Sequence, residues 1–154
     1  MPALGNFEDF ALALGQVEAR LPEEIHRSLS EIGEVVETIA KQKIGEYQAA
    51  ASSPQGTGWG AWPQLAEATQ ADRVAQGYTP NDPLKRSGEA QQSIEYRVDG
   101  ETVAVGSDDP NLLYAELGTV TEPPRPSVGP AMGESMGRNL ETIADGIGRA
   151  FGGR

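Results

Sequence analysis

The chain of 154 residues carries 23 acidic against 12 basic side chains, a net charge of -11, 19 glycines, 11 prolines and no cysteine. Its length fits a single domain, and its charge balance excludes a dedicated nucleic-acid surface, which needs clustered Lys and Arg to neutralise phosphates. The lack of cysteine excludes disulfides, thiolate metal sites and a cysteine nucleophile, and a 38% apolar content beside so much Gly and Pro predicts a lean core with extensive loops.

Asn6 is placed to cap a first helix, with Asp9 three residues on, where a carboxylate favours the positive helix end. Phe7, Phe10, Leu14, Val17 and Leu21 then recur at alternating spacings of three and four. They form one apolar stripe, which packs on its own domain or docks on a neighbour. The apolar run at residues 10–14 is too short for a signal h-region or a membrane span, and Glu8 and Asp9 stand where a basic start would be, so no membrane targeting is expected.

Pro22 biases Leu21 away from helical geometry, which predicts a helical arm over residues 1–21 and a break or kink before a second, long helix over residues 22–47. Ile25, Leu29, Ile32, Val35 or Val36, Ile39, Ala40 and Ile44 carry the helical period along it. Glu23 with Arg27 and Glu37 with Lys41 are i,i+4 pairs in the favourable order. His26 lies beside the stripe, with no second histidine to form a ligand pair, and reads as a surface residue.

Residues 49–62 are rich in small side chains and without period, which predicts a flexible loop. Its GTGWG lacks the GK[ST] ending of a phosphate loop and follows no strand. Trp59 either anchors this loop to the core or meets a partner, whereas Trp62 reads as a core anchor. A third helix is expected over residues 64–76, stopped by Gly77, and Ser87 is placed to cap a short helical turn.

Ile94, Tyr96 and Val98, then Val103 and Val105, alternate on either side of Asp99-Gly100, which predicts a β-hairpin over residues 93–107. Asp108 and Asp109 offer paired carboxylates for a cation or for acid–base work. A metal site needs more converging oxygens, and Pro110-Asn111 reads instead as a turn and helix start.

Residues 112–131, LLYAELGTVTEPPRPSVGPA, organise the rest of the chain. Leu112, Leu113, Tyr114 and Leu117 form an apolar cluster that Gly118 terminates as a helix stop. Pro123, Pro124 and Pro126 fix φ and remove three backbone donors, predicting an extended arm over residues 119–128. Pro130 suits the first turn of a C-terminal helix carrying Met132, Met136, Leu140, Ile143, Ile147 and Phe151. Gly133, Gly137, Gly146 and Gly148 weaken that helix by about 1 kcal/mol each relative to alanine. Its stability must therefore come from packing, with close approach of a neighbouring helix or subunit as one reason for small residues and a frayed tail from Gly146 as the alternative.

YAELGT followed by PPRPSVGPA resembles the head-to-tail joining, or tail-completion, proteins of tailed bacteriophages. The Trp62, Leu65, Thr69, Arg73 spacing and Asp82-Pro83-Leu84 leading to Ser87-Gly88-Glu89 and Ser93-Ile94 look like the corresponding region of phage virion-morphogenesis proteins. The resemblance covers residues 62–131, and none of its motifs is catalytic. It implies a non-enzymatic structural subunit at the head–tail junction, assembled in the bacterial cytoplasm as a cyclic homo-oligomer, hexameric by resemblance. Neighbouring neck, connector and tail proteins are its implied partners, with DNA passing through the lumen and no cofactor or metal required. A tail terminator or another minor tail component shares the same ring logic. A small hydrolase using Asp108 or Asp109 is the enzymatic alternative, and it lacks a nucleophile elbow, a histidine–metal spacing and a phosphate loop.

The expected architecture is α+β: long N-terminal helices and a C-terminal helix on a small antiparallel sheet, with an α+β core over residues 63–128 and a helix and tail over residues 130–154. The Pro-rich arm adds to a sheet edge or reaches a neighbour. The interface positions this predicts are Trp59, Trp62, Tyr114, Glu116, Gly118, Thr119, Pro123, Pro124, Arg125 and Pro126. Arg125 is either a partner for a neighbour's carboxylate or a solvated loop arginine. The net charge serves solubility or, in a ring, an acidic lumen that keeps DNA sliding.

Overall fold

The computed structural model describes residues 5–52 and 58–152. It is α+β, with helices α1 (Phe7–Lys43), α2 (Glu67–Ala75), α3 (Glu89–Gln92), α4 (Pro110–Leu117) and α5 (Val128–Ala150). Strands β1 (Ala51–Ser52) and β2 (Gly58–Trp59) form one antiparallel pair, and β3 (Glu95–Asp99) and β4 (Thr102–Gly106) form another.

Helix α1 starts at Asn6, whose side chain accepts the Asp9 amide hydrogen bond at 2.9 Å. It runs for 37 residues without interruption at Pro22, so of the expected break or kink the break does not occur. Proline in a helix interior removes the bond to residue i−4, here Glu18. Both residues are solvent-exposed, so water can satisfy the freed carbonyl. Downstream, burial of Leu29, Ile32, Val36 and Ala40 holds the helix in place. It stops at Lys43, with Ile44 as an extended cap, short of the expected Tyr47.

Helix α5 lies antiparallel on the C-terminal half of α1. Ser28 Oγ donates to the Thr142 carbonyl at 3.1 Å, Lys43 pairs with Glu134 at 2.7 Å and Arg149 with Glu24 at 2.8 Å. Close approach is possible because Gly146 is buried on Ser28: a Cβ there would overlap the serine hydroxyl and lie 3.3 Å from the Glu24 carbonyl. The helix remains regular through Ala150, so Gly146 is a packing position and not the start of a frayed tail.

The β3–β4 hairpin pairs Tyr96 with Val105 and Val98 with Val103 around a turn at Gly100, whose φ is +57°. Ser93 Oγ and Ser107 Oγ close its open end at 2.6 Å. One face lies on α1, where Gly33 leaves room for the Tyr96 ring; a Cβ would overlap ring carbons. Glu37, expected only to pair with Lys41, also accepts the Tyr96 amide at 3.1 Å and ties helix to strand. The core joins Ile32, Val36, Ala40 and Ile44 of the α1 region to Ile94, Leu112 and Ala131.

The region predicted as a flexible loop contains the β1–β2 ladder, with Ala51 opposite Trp59, and residues 53–57 lie outside the described set. The Pro-rich stretch joins neither sheet. Residues 119–122 turn back on themselves, because the Thr119 amide donates to the Glu122 carbonyl at 2.8 Å and Thr119 Oγ1 accepts from the Glu122 amide at 3.0 Å. Extended passage is therefore confined to the residues after that turn, and α5 begins at Val128, with Pro130 in its first turn.

Candidate subunit interface

The ten positions singled out in the sequence come from three segments that the fold brings together at the N-terminus of α5. Helix α4 begins with Asp109, whose side chain accepts the Asn111 amide at 2.9 Å, followed by Pro110 at the first helical position. Asp109 is thus a helix cap. Among the described residues no group of three or more His, Cys, Asp or Glu side chains converges to hold a metal ion.

Gly118 ends α4 at φ +76°, where a Cβ would lie 2.9 Å from Pro124 Cδ. The positive φ and the tight contact both require glycine. The chain then doubles back, and the Arg125 amide donates to the Ala115 carbonyl at 2.6 Å.

This return places the Glu116 carboxylate at the start of α5. It accepts the amides of Ser127 at 2.8 Å, Val128 at 3.2 Å and Gly129 at 2.7 Å. Ser127 makes no side-chain cap of its own, so Glu116 satisfies the N–H groups that lack a partner within the helix and places negative charge at the positive helix end. Trp59 is half-buried over the same turn, its Nε1 lying 3.2 Å from where a Gly129 Cβ would be.

Arg125 donates from Nη2 to the Pro63 carbonyl at 2.9 Å, tethering the Pro-rich segment to the stretch after Trp62. Trp62 is 5% exposed and its amide donates to the Gln48 carbonyl at 2.9 Å. Pro126 is buried, whereas Tyr114, Thr119, Pro123 and Pro124 are exposed. The ten positions therefore divide into a buried or tethered set that shapes the loop and an exposed set on its outer side.

Beside them opens a cleft of about 270 Å³ lined by Arg73, Leu84, Arg86, Tyr114, Pro123 and Arg125. Its three arginines all have partners: buried Arg73 donates to the carbonyls of Thr79 and Lys85, Arg86 pairs with Asp72 at 2.9 Å, and Arg125 holds Pro63. These arginines brace loops, and their arrangement supplies no activated nucleophile.

Four exposed apolar residues surround this edge: Leu113, Tyr114, Leu117 and fully exposed Val120. The first three share one face of α4 by i,i+3 and i,i+4 spacing, and Val120 sits on the turn beyond. Such an apolar surface suits protein contact.

The sequence model of the phage virion morphogenesis family matches residues 6–115, from the α1 cap to within α4. The chain belongs to the phage virion morphogenesis family. This is a structural family, and membership makes the protein a component in building a phage virion. No curated protein and no solved structure matches the chain. Among the described residues no helix is long and apolar enough to cross a membrane.

In this virion morphogenesis protein the family match takes in all of α1, including the N-terminal stripe, and stops before Glu116. Sequence reasoning named Glu116 as an interface position and did not find its bond to α5, because the two are joined only by the turn at residues 119–122. It also did not find Arg73 as a buried brace. Buried Asn139 was missed too: its Nδ2 donates to Ser135 Oγ at 3.0 Å while Oδ1 has no protein partner.

Proposed function

We propose that this phage virion morphogenesis protein is a non-enzymatic subunit of a closed ring at the head–tail junction, joining or completing the tail and letting DNA pass. The observation that carries the reading is the apolar ridge of Leu113, Tyr114, Leu117 and Val120, left uncovered on a rigidly braced edge. Gly118, Glu116 and Arg125 hold that edge in one shape within the protomer, so little ordering entropy opposes docking of a neighbour. Thr119, Pro123 and Pro124 extend the docking edge beyond the ridge. The net charge of -11 suits a lumen that repels phosphate. Neighbouring neck and tail proteins are the partners on the two ring faces.

The ridge gives a direct test. Leu117→Asp combined with Val120→Asp changes two exposed side chains and should leave the melting temperature unaltered while abolishing the ring and lowering particle yield. A double variant that assembles normally would remove the ridge from the interface.

A further inference from the structure

The cleft beside the docking edge holds more positive charge than its protein partners neutralise. In a chain of net charge -11 it gathers Arg73, Arg86 and Arg125 around a single acidic group, Glu122. Of these arginines only Arg86 meets a carboxylate, that of Asp72 at 2.9 Å. Arg73 donates from Nε to the Thr79 carbonyl at 2.8 Å and from Nη2 to the Lys85 carbonyl, and Arg125 donates to the Pro63 carbonyl. Carbonyls satisfy donors but do not neutralise a charge.

Arg73 is 4% exposed, and a side chain of this kind is ordinarily buried only when an anion matches it. The C-terminal end of α2, whose last turn carries Arg73, supplies only partial negative charge. A guanidinium has more N–H donors than these bonds use. Among the described residues Nη1 of Arg73 bonds no acceptor, and the same is true of Nη1 of Arg86 and of Arg125. Glu122 is exposed and forms an ion pair with none of them.

A second observation falls at the same place. Leu84 lines the cleft and has a φ of +61°, the only positive φ outside glycine among the described residues. Strain of this sort persists where the surroundings impose it, and it gathers at ligand clamps. Here the bond from Arg73 to the adjacent Lys85 carbonyl helps to hold it.

The cleft of about 270 Å³ has room for one or two side chains. It cannot seat a run of nucleotides, which needs a long basic groove that this acidic chain lacks.

We infer that this cleft binds a carboxylate carried on an apolar-flanked peptide segment, the chemistry of a partner protein and not of DNA. The carboxylate takes the unused donors of Arg73 and Arg86, and the flanking apolar side chain lies against Leu84 and Tyr114. Guanidinium–carboxylate bonds are charge-assisted and form in parallel pairs, so they fix register as well as adding affinity. Tyr114 and Pro123 belong both to the cleft and to the docking edge. The inference therefore rests on the assembly role proposed above and names the chemistry of the partner.

The test is a titration of the full chain with short peptides, followed by NMR. Acetyl-Leu-Glu-Leu amide presents a side-chain carboxylate, acetyl-Leu-Gln-Leu amide presents none, and acetyl-Leu-Gln-Leu with a free C-terminus presents one at the chain end. At least one of the two carboxylate peptides should bind about tenfold tighter than the neutral peptide and shift the Arg73 Nε–Hε resonance. Which of them does so identifies the source of the group. Arg86→Gln should weaken that binding about fivefold, and Glu122→Gln, which removes a like charge, should strengthen it about twofold. Arg138→Gln removes a positive charge from α5, away from the cleft, and should change nothing. All three side chains are exposed, so melting temperatures should match the parent. Equal binding of the three peptides, binding of none, or tighter binding of inorganic phosphate would overturn the inference. Light scattering keeps it apart from the ring: a permanent monomer that selects the carboxylate peptides loses the ring and keeps the cleft, whereas a ring that treats all three alike keeps the ring and loses the cleft.

Discussion

Gly146 packs so closely on Ser28 that a Cβ on the glycine would overlap the serine hydroxyl. This is where α5 crosses α1, and the Ser28 Oγ bond to Thr142 at 3.1 Å fixes the same crossing one turn away. Gly146→Ala should therefore destabilise the fold by about 1–3 kcal/mol through overpacking, despite the better helix propensity of alanine. Gly148→Ala, where nothing lies within 4 Å, should instead stabilise by about 0.5–1 kcal/mol. Urea unfolding of the two variants beside the parent checks the pair.

Glu116 caps a helix to which it does not belong. Removing its carboxylate in Glu116→Ala strips the Ser127, Val128 and Gly129 amides of their shared acceptor. A loss of about 1–2 kcal/mol is expected, as for other helix caps. Glu116→Gln keeps an acceptor oxygen and should lose less, and a loss equal to that of the alanine variant would assign the effect to charge alone.

The Glu24–Arg149 pair makes stability depend on acid. The hydrogen bond from Arg149 holds the Glu24 carboxyl below its ordinary value of 4.5; burial opposes this, and the charges of Arg27 and Arg149 assist it. A depressed carboxylate contributes stability above the unfolded value and loses it as pH falls through the lower folded value. The melting-temperature gap between the parent and Glu24→Gln should be largest near pH 6 and shrink as pH drops below 4.5. A gap independent of pH would contradict the role given to the ion pair.

Asn139 is buried in the α1–α5 seam with its Oδ1 unpartnered. Ser135 Oγ donates to the Ala131 carbonyl at 2.9 Å and stays satisfied without it. Asn139→Leu removes an unpaired buried acceptor while keeping the same side-chain branching, so stability should be unchanged or raised by up to about 1 kcal/mol. Thermal unfolding checks the sign.

Features set by near neighbours in sequence were readable from it. The Asn6 cap, the α1 stripe, the hairpin at Asp99-Gly100 and the helix start at Pro110-Asn111 all depend on residues within a few positions, and each is legible; the Asp109 cap is not. At Pro22 the local rule allows a break or a kink, and the break does not occur because burial along the following turns outweighs one lost bond on a wet face. Glu116 and Arg125 act on groups 11 or more positions away, through a turn whose closure depends on Thr119 and Gly118 together. No periodic pattern encodes that return. The exposed Leu140, Ile147 and Phe151 were read only as helical spacing, since a period shows that a face is apolar without showing which neighbour covers it.

The most direct measurement is the light-scattering mass of the purified protein across a range of concentrations, alone and with neighbouring virion proteins. The ring account predicts one closed species of about six times 16.3 kDa, present alone or formed once a neighbour is added. A species of 16.3 kDa under every condition would contradict it.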